Sequence, residues 1–203
     1  MKRQISNEYK RTVKAKPKRV ILIAYEEKTE KEYFKNFDDG KKDYRIVFAN
    51  DNHTDPINLI EVLKTKMERM EINHLNNDKV YCIFDTDTDI KKDKEIKKAY
   101  SLAQKYGIEI ITSNPCIELW FYLHFKYTTG YMTSNDILKF LKDAYPQYEK
   151  GKNVYDELKS KLPLAINNAK KLEKFHLENG NDVRFLEANP STMIYKIIEE
   201  LNK

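Results

Sequence analysis

The sequence predicts an α/β fold: a mostly parallel four-stranded sheet flanked by helices, followed by a largely helical C-terminal part. Two observations carry that prediction. Continuous apolar runs bounded by charge, at 19–25 and 80–84, have the pattern of strands covered on both faces. Between them lie stretches whose apolar residues recur every three or four positions, the period of a helix face.

In chain order, the strand at 19–25 leads to a helix at 28–37, where Tyr33, Phe34 and Phe37 share a face, and then to a strand at 44–49. Asp55 followed by Pro56 is an N-cap with proline at the first helical position. It opens a helix marked by Leu59, Ile60, Leu63, Met67 and Met70. The strand at 80–84 ends in Asp85, a helix at 93–106 stops at Gly107, and a fourth strand spans 108–112. Beyond Ile117 the pattern gives helices at 117–125, 135–142, 162–179 and 192–201. Alternating strands and helices imply right-handed crossovers, and sheets of this kind bind ligands at the C-terminal ends of their strands.

A chain of 203 residues supports one well-buried core. The expectation is a basic flexible arm at 1–17 and a single domain at 18–203, with its core at 18–125 and a helical extension at 126–203. Hydrophobic residues at 40% and charged residues at 34% fit neither a disordered chain nor a membrane protein. No apolar run approaches the ~18 residues of a membrane span and no secretory leader is seen, so the cytoplasm is the expected compartment. Cys82 and Cys116 sit in apolar runs, where a thiol serves as a small hydrophobe rather than in a disulfide or zinc site. The net charge of +5 is concentrated in residues 1–19, which hold eight Lys/Arg against Glu8 alone. Such an arm suits phosphate backbones or a partner, and suits a solvated tail equally.

Acidic residues fall where strands end: Glu26 after the first, and Asp85, Asp87 and Asp89 after the third. A Glu facing an Asp-x-Asp is a cradle of oxygen ligands for Mg²⁺ or Mn²⁺. A cation held there could stabilise charge on a phosphodiester while a carboxylate moves a proton. The same acids also suit capping of the helix that follows, and the residue types alone leave the two readings even.

Val20-Ile-Leu-Ile-Ala-Tyr-Glu-Glu-Lys-Thr-Glu-Lys-Glu-Tyr-Phe34 is similar to the opening of a Toprim fold, an apolar strand followed by Glu-Gly-Lys-Thr-Glu/Asp. Ile83-Phe-Asp-Thr-Asp87 is similar to its Asp-x-Asp strand. With the segments at 113–125, 146–150 and 189–192, the chain resembles the RloB-like family of Toprim-fold proteins over about residues 18–203. The resemblance implies a Toprim-like sheet and a Mg- or Mn-dependent nuclease that cleaves DNA or RNA in prokaryotic anti-phage defence by abortive infection. It implies Glu26, Asp85 and Asp87 as catalytic residues, and these three with Asp89 as metal ligands. Glu27, Lys28, Glu30, Asn114, Glu118, His124, Asn189 and Ser191 become candidates for supporting or substrate contacts. It also implies an ATPase partner, because this chain has no G-x-x-x-x-G-K-[ST] loop and only 5 glycines. Homo-oligomer formation stays open.

Several of these residues have plainer readings. Leu119, Trp120 and Leu123 form an apolar stripe around Glu118 and His124, so the polar members can be structural hydrogen-bonders. Asn189-Pro-Ser-Thr192 reads as the start of the last helix, with Ser191 or Thr192 as cap and its amides open to a phosphate. Glu27 stands where the resembling motif has glycine, which favours a non-catalytic adaptor if the turn there needs glycine's freedom. A register shifted by one would put Tyr25 in the catalytic position; the register with Glu26 is preferred. A topoisomerase- or primase-like reaction ranks last, since the chain has no discernible nucleophile-tyrosine domain or zinc module.

Overall fold

The structure, a computed structural model, describes residues 18–49 and 55–203. The basic arm at 1–17 lies outside the described residues. Five strands, β1 (Arg19–Ala24), β2 (Tyr44–Ala49), β3 (Lys79–Asp85), β4 (Glu109–Asn114) and β5 (Ser191–Thr192), form one sheet in the order β2-β1-β3-β4-β5. The first four are parallel, and β5 runs antiparallel to β4. The architecture is the expected α/β one, consistent with a Toprim-like sheet, with one strand more than the predicted four. A two-residue strand has no periodicity to read; β5 exists because Ser191 and Thr192 find Asn114 and Ser113 across the sheet edge.

The helices are α1 (Lys28–Phe34), α2 (Pro56–Met70), α3 (Ile90–Tyr106), α4 (Glu118–Tyr122), α5 (Ser134–Ala144), α6 (Tyr155–Leu158), α7 (Leu162–Glu178) and α8 (Ile194–Leu201). Local chemistry sets many of their ends. Asp55 accepts the Asn58 amide at the start of α2, Gly107 closes α3 with φ 69°, and Thr133 and Asp136 cap α5 reciprocally. Helix α3 begins three residues earlier than predicted because the Asp89 side chain caps it. Helix α8 begins later than predicted because Ser191 and Thr192 are taken up by β5, so neither is its N-cap residue.

The apolar runs become the middle layer. Along β1, Ile21 and Ile23 face one core while Val20, Leu22 and Ala24 face the other; on β3, Tyr81 and Ile83 divide from Val80, Cys82 and Phe84 in the same way. Leu59, Ile60 and Leu63 of α2 and Ile96, Ala99 and Ala103 of α3 cover one face. Helices α1, α4, α7 and α8 contribute to the other, centred on Trp120, whose Nε1 donates to the buried Tyr33 hydroxyl at 3.0 Å. Each fully buried Leu, Ile or Phe contributes roughly 1.5–3 kcal/mol, which holds the helices on both faces of the sheet. Edge strand β2 is blunted: Asp38 accepts the Ile46 amide at 2.9 Å and Lys66 donates to the Phe48 carbonyl at 2.9 Å.

Candidate functional site

Strands β1 and β3 are parallel neighbours with Ala24 opposite Cys82, so the chain leaves both at the same end of the sheet. Glu26, two residues past β1, turns back to accept the backbone amide of Asp85 at 2.9 Å through Oε2. Glu30 on α1 and Glu118, the first residue of α4, are buried close by, and the charges of Glu26, Glu30, Glu118 and Asp87 all act on Asp85. These elements enclose a cavity of about 260 Å³ whose lining includes Glu26, Asp85, Asp87, Lys92, Glu118 and Lys150. Larger clefts, of about 490 Å³ beside α2 and about 540 Å³ beside Arg184, hold no comparable collection of buried acids.

The carboxylates are unevenly partnered. Glu118 accepts the Tyr148 hydroxyl at 2.7 Å, but both carboxylate oxygens of Glu30 and Oδ1 of Asp85 are buried without a hydrogen-bond partner. An ionised carboxylate is unfavourable in that state. Burial, reinforced by neighbouring negative charge, pushes Glu30 up to about 8 and Asp85 well above the ordinary carboxylate range. Burial also raises Glu26, against the opposing pull of Lys92.

Lys92, in the first turn of α3, joins the two strand ends. Its Nζ donates to Glu26 Oε2 at 2.9 Å and to Asp87 Oδ2 at 2.7 Å. Burial works to lower its pKa, but the Glu26 charge and the hydrogen bonds to both acids outweigh it, and Lys92 stays charged. Asp87 and Thr88 have φ of 52° and 56°, a left-handed turn that is unfavourable for a β-branched residue such as Thr88. The Asp87 amide holds the turn by donating to the Pro115 carbonyl at 2.9 Å.

Other predicted residues lie elsewhere. Asp89 accepts the Lys91 amide at 2.7 Å as the α3 cap and does not line the cavity, so it is the capping acid rather than a companion of Asp85. Glu27 pairs with Lys150 at 2.6 Å at the cavity mouth, and its φ of −123° and ψ of 168° are extended values that any residue adopts. Glycine's freedom is therefore not needed there. Tyr25 packs its ring edge-on to Phe48, and Glu26 is the residue that faces Asp85. Lys28 is exposed at the start of α1.

Asn114 is a structural hub: its Oδ1 accepts from Thr86 and Asn189, and its Nδ2 donates to the Phe185 and Leu186 carbonyls. Asn189 also braces the Met132 backbone, and the Ser191 hydroxyl donates to the Val183 carbonyl. Ser191, Thr192, Met193 and Ile194 are all buried, so the α8 amides are closed to a phosphate from solvent. His124 is fully buried, its Nδ1 bonds to the Trp120 carbonyl at 2.9 Å, and burial lowers it to about 4. It does not line the cavity.

Lys92 and Tyr148 were not among the residues singled out from sequence. Lys92 carried a usable signal: a lysine in a helix's first turn opposes the positive end of the macrodipole, so a compensating acid was to be expected nearby. Tyr148 lies in the 146–150 segment that carries the resemblance, but nothing local ties it to Glu118 thirty residues away.

A family model described as RloB-like protein matches residues 21–201. The chain belongs to the RloB-like protein family. No curated protein and no solved structure gives a significant match. The matched span of this RloB-like chain contains every residue named in the cavity. Among the described residues, no helix is long and apolar enough to cross a membrane. Nor do any three His, Cys, Asp or Glu side chains among them stand arranged to hold a metal ion. The donor chemistry nonetheless fits a hard divalent cation: the acids supply oxygens alone, and three of those oxygens are buried with no other partner.

Proposed function

We propose that this RloB-like protein is a divalent-cation-dependent nuclease acting on the phosphodiesters of DNA or RNA in anti-phage defence, controlled by a partner that supplies the ATPase. The observation that carries the reading is the set of buried, unpartnered carboxylate oxygens on Glu30 and Asp85 beside Glu26, at the C-terminal ends of β1 and β3. Leaving such groups unmatched is unfavourable, and a cation is the ligand that would satisfy them.

Glu26, Asp85 and Asp87 would hold Mg²⁺ or Mn²⁺, with Glu118 in the same lining and Glu30 buried close by. A cation bound there supplies Lewis-acid stabilisation of charge on phosphoryl oxygens. The remaining work falls to the side chains. Both hydrogen bonds of Glu26 are on Oε2, leaving Oε1 to take a proton from an attacking water. Tyr148 orients Glu118, and the Asp87–Thr88 turn directs Asp87 towards Lys92.

One observation favours a non-catalytic adaptor that binds the ATPase or nucleic acid: Lys92 already supplies a counter-ion to Glu26 and Asp87. Calorimetric titration with Mn²⁺, combined with cleavage assays on DNA and RNA with the candidate ATPase present, separates the readings. The nuclease binds Mn²⁺ and cuts. A folded protein that does neither is the adaptor.

A further inference from the structure

The acidic cavity carries a half-exposed lysine, Lys150, in its lining. Lys150 lies between α5 and α6 at the cavity mouth, and its Nζ donates to Glu27 Oε2 at 2.6 Å, with both side chains about half exposed, at 53% and 50%. Lys28, next to Glu27 in the chain, comes near Gly151, its Cδ 4.0 Å from where a Cβ there would sit.

The local fold does not need the Lys150 charge. Buried Tyr148 and Val154 anchor the segment, and Asn153 exchanges side-chain hydrogen bonds with Asn36 at 3.1 and 3.2 Å. The two lysines of the cavity differ in kind. Lys92 is 19% exposed and shared between Glu26 and Asp87, whereas Lys150 is 53% exposed, is held by the half-exposed Glu27 alone, and feels Glu118 and Asp85 through their charges without a hydrogen bond to either.

A polynucleotide entering this cavity is an anion approaching the acids Glu26, Asp87 and Glu118 of its lining, and like charges repel it. A cation at the mouth offsets that field where the chain must first come close. We propose that Lys150 is a phosphate-binding residue of this site: a backbone phosphate takes its ammonium from Glu27, which holds the lysine over the mouth until nucleic acid arrives. An ion pair between half-exposed groups is weak, while a lysine–phosphate contact also releases a condensed counterion, so the exchange runs towards phosphate. Glu27 thereby acts on substrate entry rather than on the metal. The inference rests on the nucleic-acid reading given above.

Fluorescence anisotropy with labelled DNA and RNA oligonucleotides, in EDTA over a KCl series, tests it without cleavage. Lys150→Ala is expected to weaken binding by about five- to tenfold and to reduce the salt slope by about 1, the signature of one lost phosphate contact. Lys150→Arg should restore most of the affinity, and Glu27→Gln, which releases the lysine, should tighten binding by about two- to threefold. Mn²⁺ affinity in Lys150→Ala should not fall below wild type, since the change removes a positive charge that acts on Glu118 and Asp85. Unchanged nucleic-acid affinity and slope in Lys150→Ala overturn the proposal, as does a parallel loss of Mn²⁺ affinity, which would assign Lys150 to the shape of the cavity. A wild-type protein that binds Mn²⁺ but no oligonucleotide defeats this inference alone. One that binds oligonucleotide but no Mn²⁺ defeats the nuclease reading and leaves Lys150 in place.

Discussion

The side chain of Glu26 accepts the backbone amide of Asp85 at 2.9 Å, tying the residue that follows β1 to the last residue of β3. The bond spans fifty-nine positions in sequence and depends on the two strands being parallel neighbours. It places the Glu26 carboxylate against a buried acid with an unpartnered oxygen, and the predictions below follow from that placement.

Asp85→Asn and Asp87→Asn should each reduce metal-dependent cleavage by at least about 100-fold, since amides are poor ligands for a hard cation and even supporting groups of a metal site matter at the 10–100-fold level. Circular dichroism establishes that each variant is folded. Retained cleavage in either folded protein would move the metal elsewhere.

Lys92→Met should tighten Mn²⁺ binding, by about tenfold or more. A unit charge at hydrogen-bond distance from Glu26 and Asp87 acts on the order of a few kcal/mol at an effective dielectric near 20, and the ammonium competes for the same oxygens. Without metal the variant should melt lower, because the two acids lose their counter-ion. Calorimetry and thermal melts with and without Mn²⁺ measure the two effects.

Glu27→Gly and Glu27→Ala should behave alike in cleavage and binding. The backbone there is extended, so glycine restores no forbidden conformation, and both changes simply release Lys150. A gain peculiar to glycine, seen in parallel kinetic assays, would show that the turn rearranges on binding.

His124 makes stability fall with acidity. Burial lowers its folded-state pKa to about 4 from 6.5, so the unfolded chain binds the proton more readily between those values. Its contribution is fully present above about pH 6.5 and is lost as pH falls towards 4, up to about 3 kcal/mol in all. Urea melts at pH 7 and pH 5 should show a larger drop for wild type than for His124→Phe, which cannot titrate.

Much of the fold was legible because its signals are local. The apolar runs of β1 and β3 announce strands buried on both faces, Asp55-Pro56 and Gly107 announce helix ends, and each outcome is fixed by a few adjacent residues. The pairing of Glu26 with Asp85 was legible too, since parallel neighbouring strands deliver their ends to one side. The capping role of Asp89 was not separable from a metal-binding one, because the two kinds of acid look alike in sequence and only the α3 amide in front of it shows that the side chain caps.

By itself, then, the sequence determined the α/β class, the acids at the strand ends and membership of a family through motifs in the right order. Only the tertiary structure decided which acids are buried without partners, that Lys92 bridges Glu26 and Asp87, that Tyr148 serves Glu118, and that Glu27 meets Lys150 at the mouth. The physical reason is separation along the chain. Desolvation and charge pairing depend on what else fills the few ångströms around a side chain, and here those neighbours arrive from β1, α1, α3, α4 and the segment before α6, which share no periodic or capping signal.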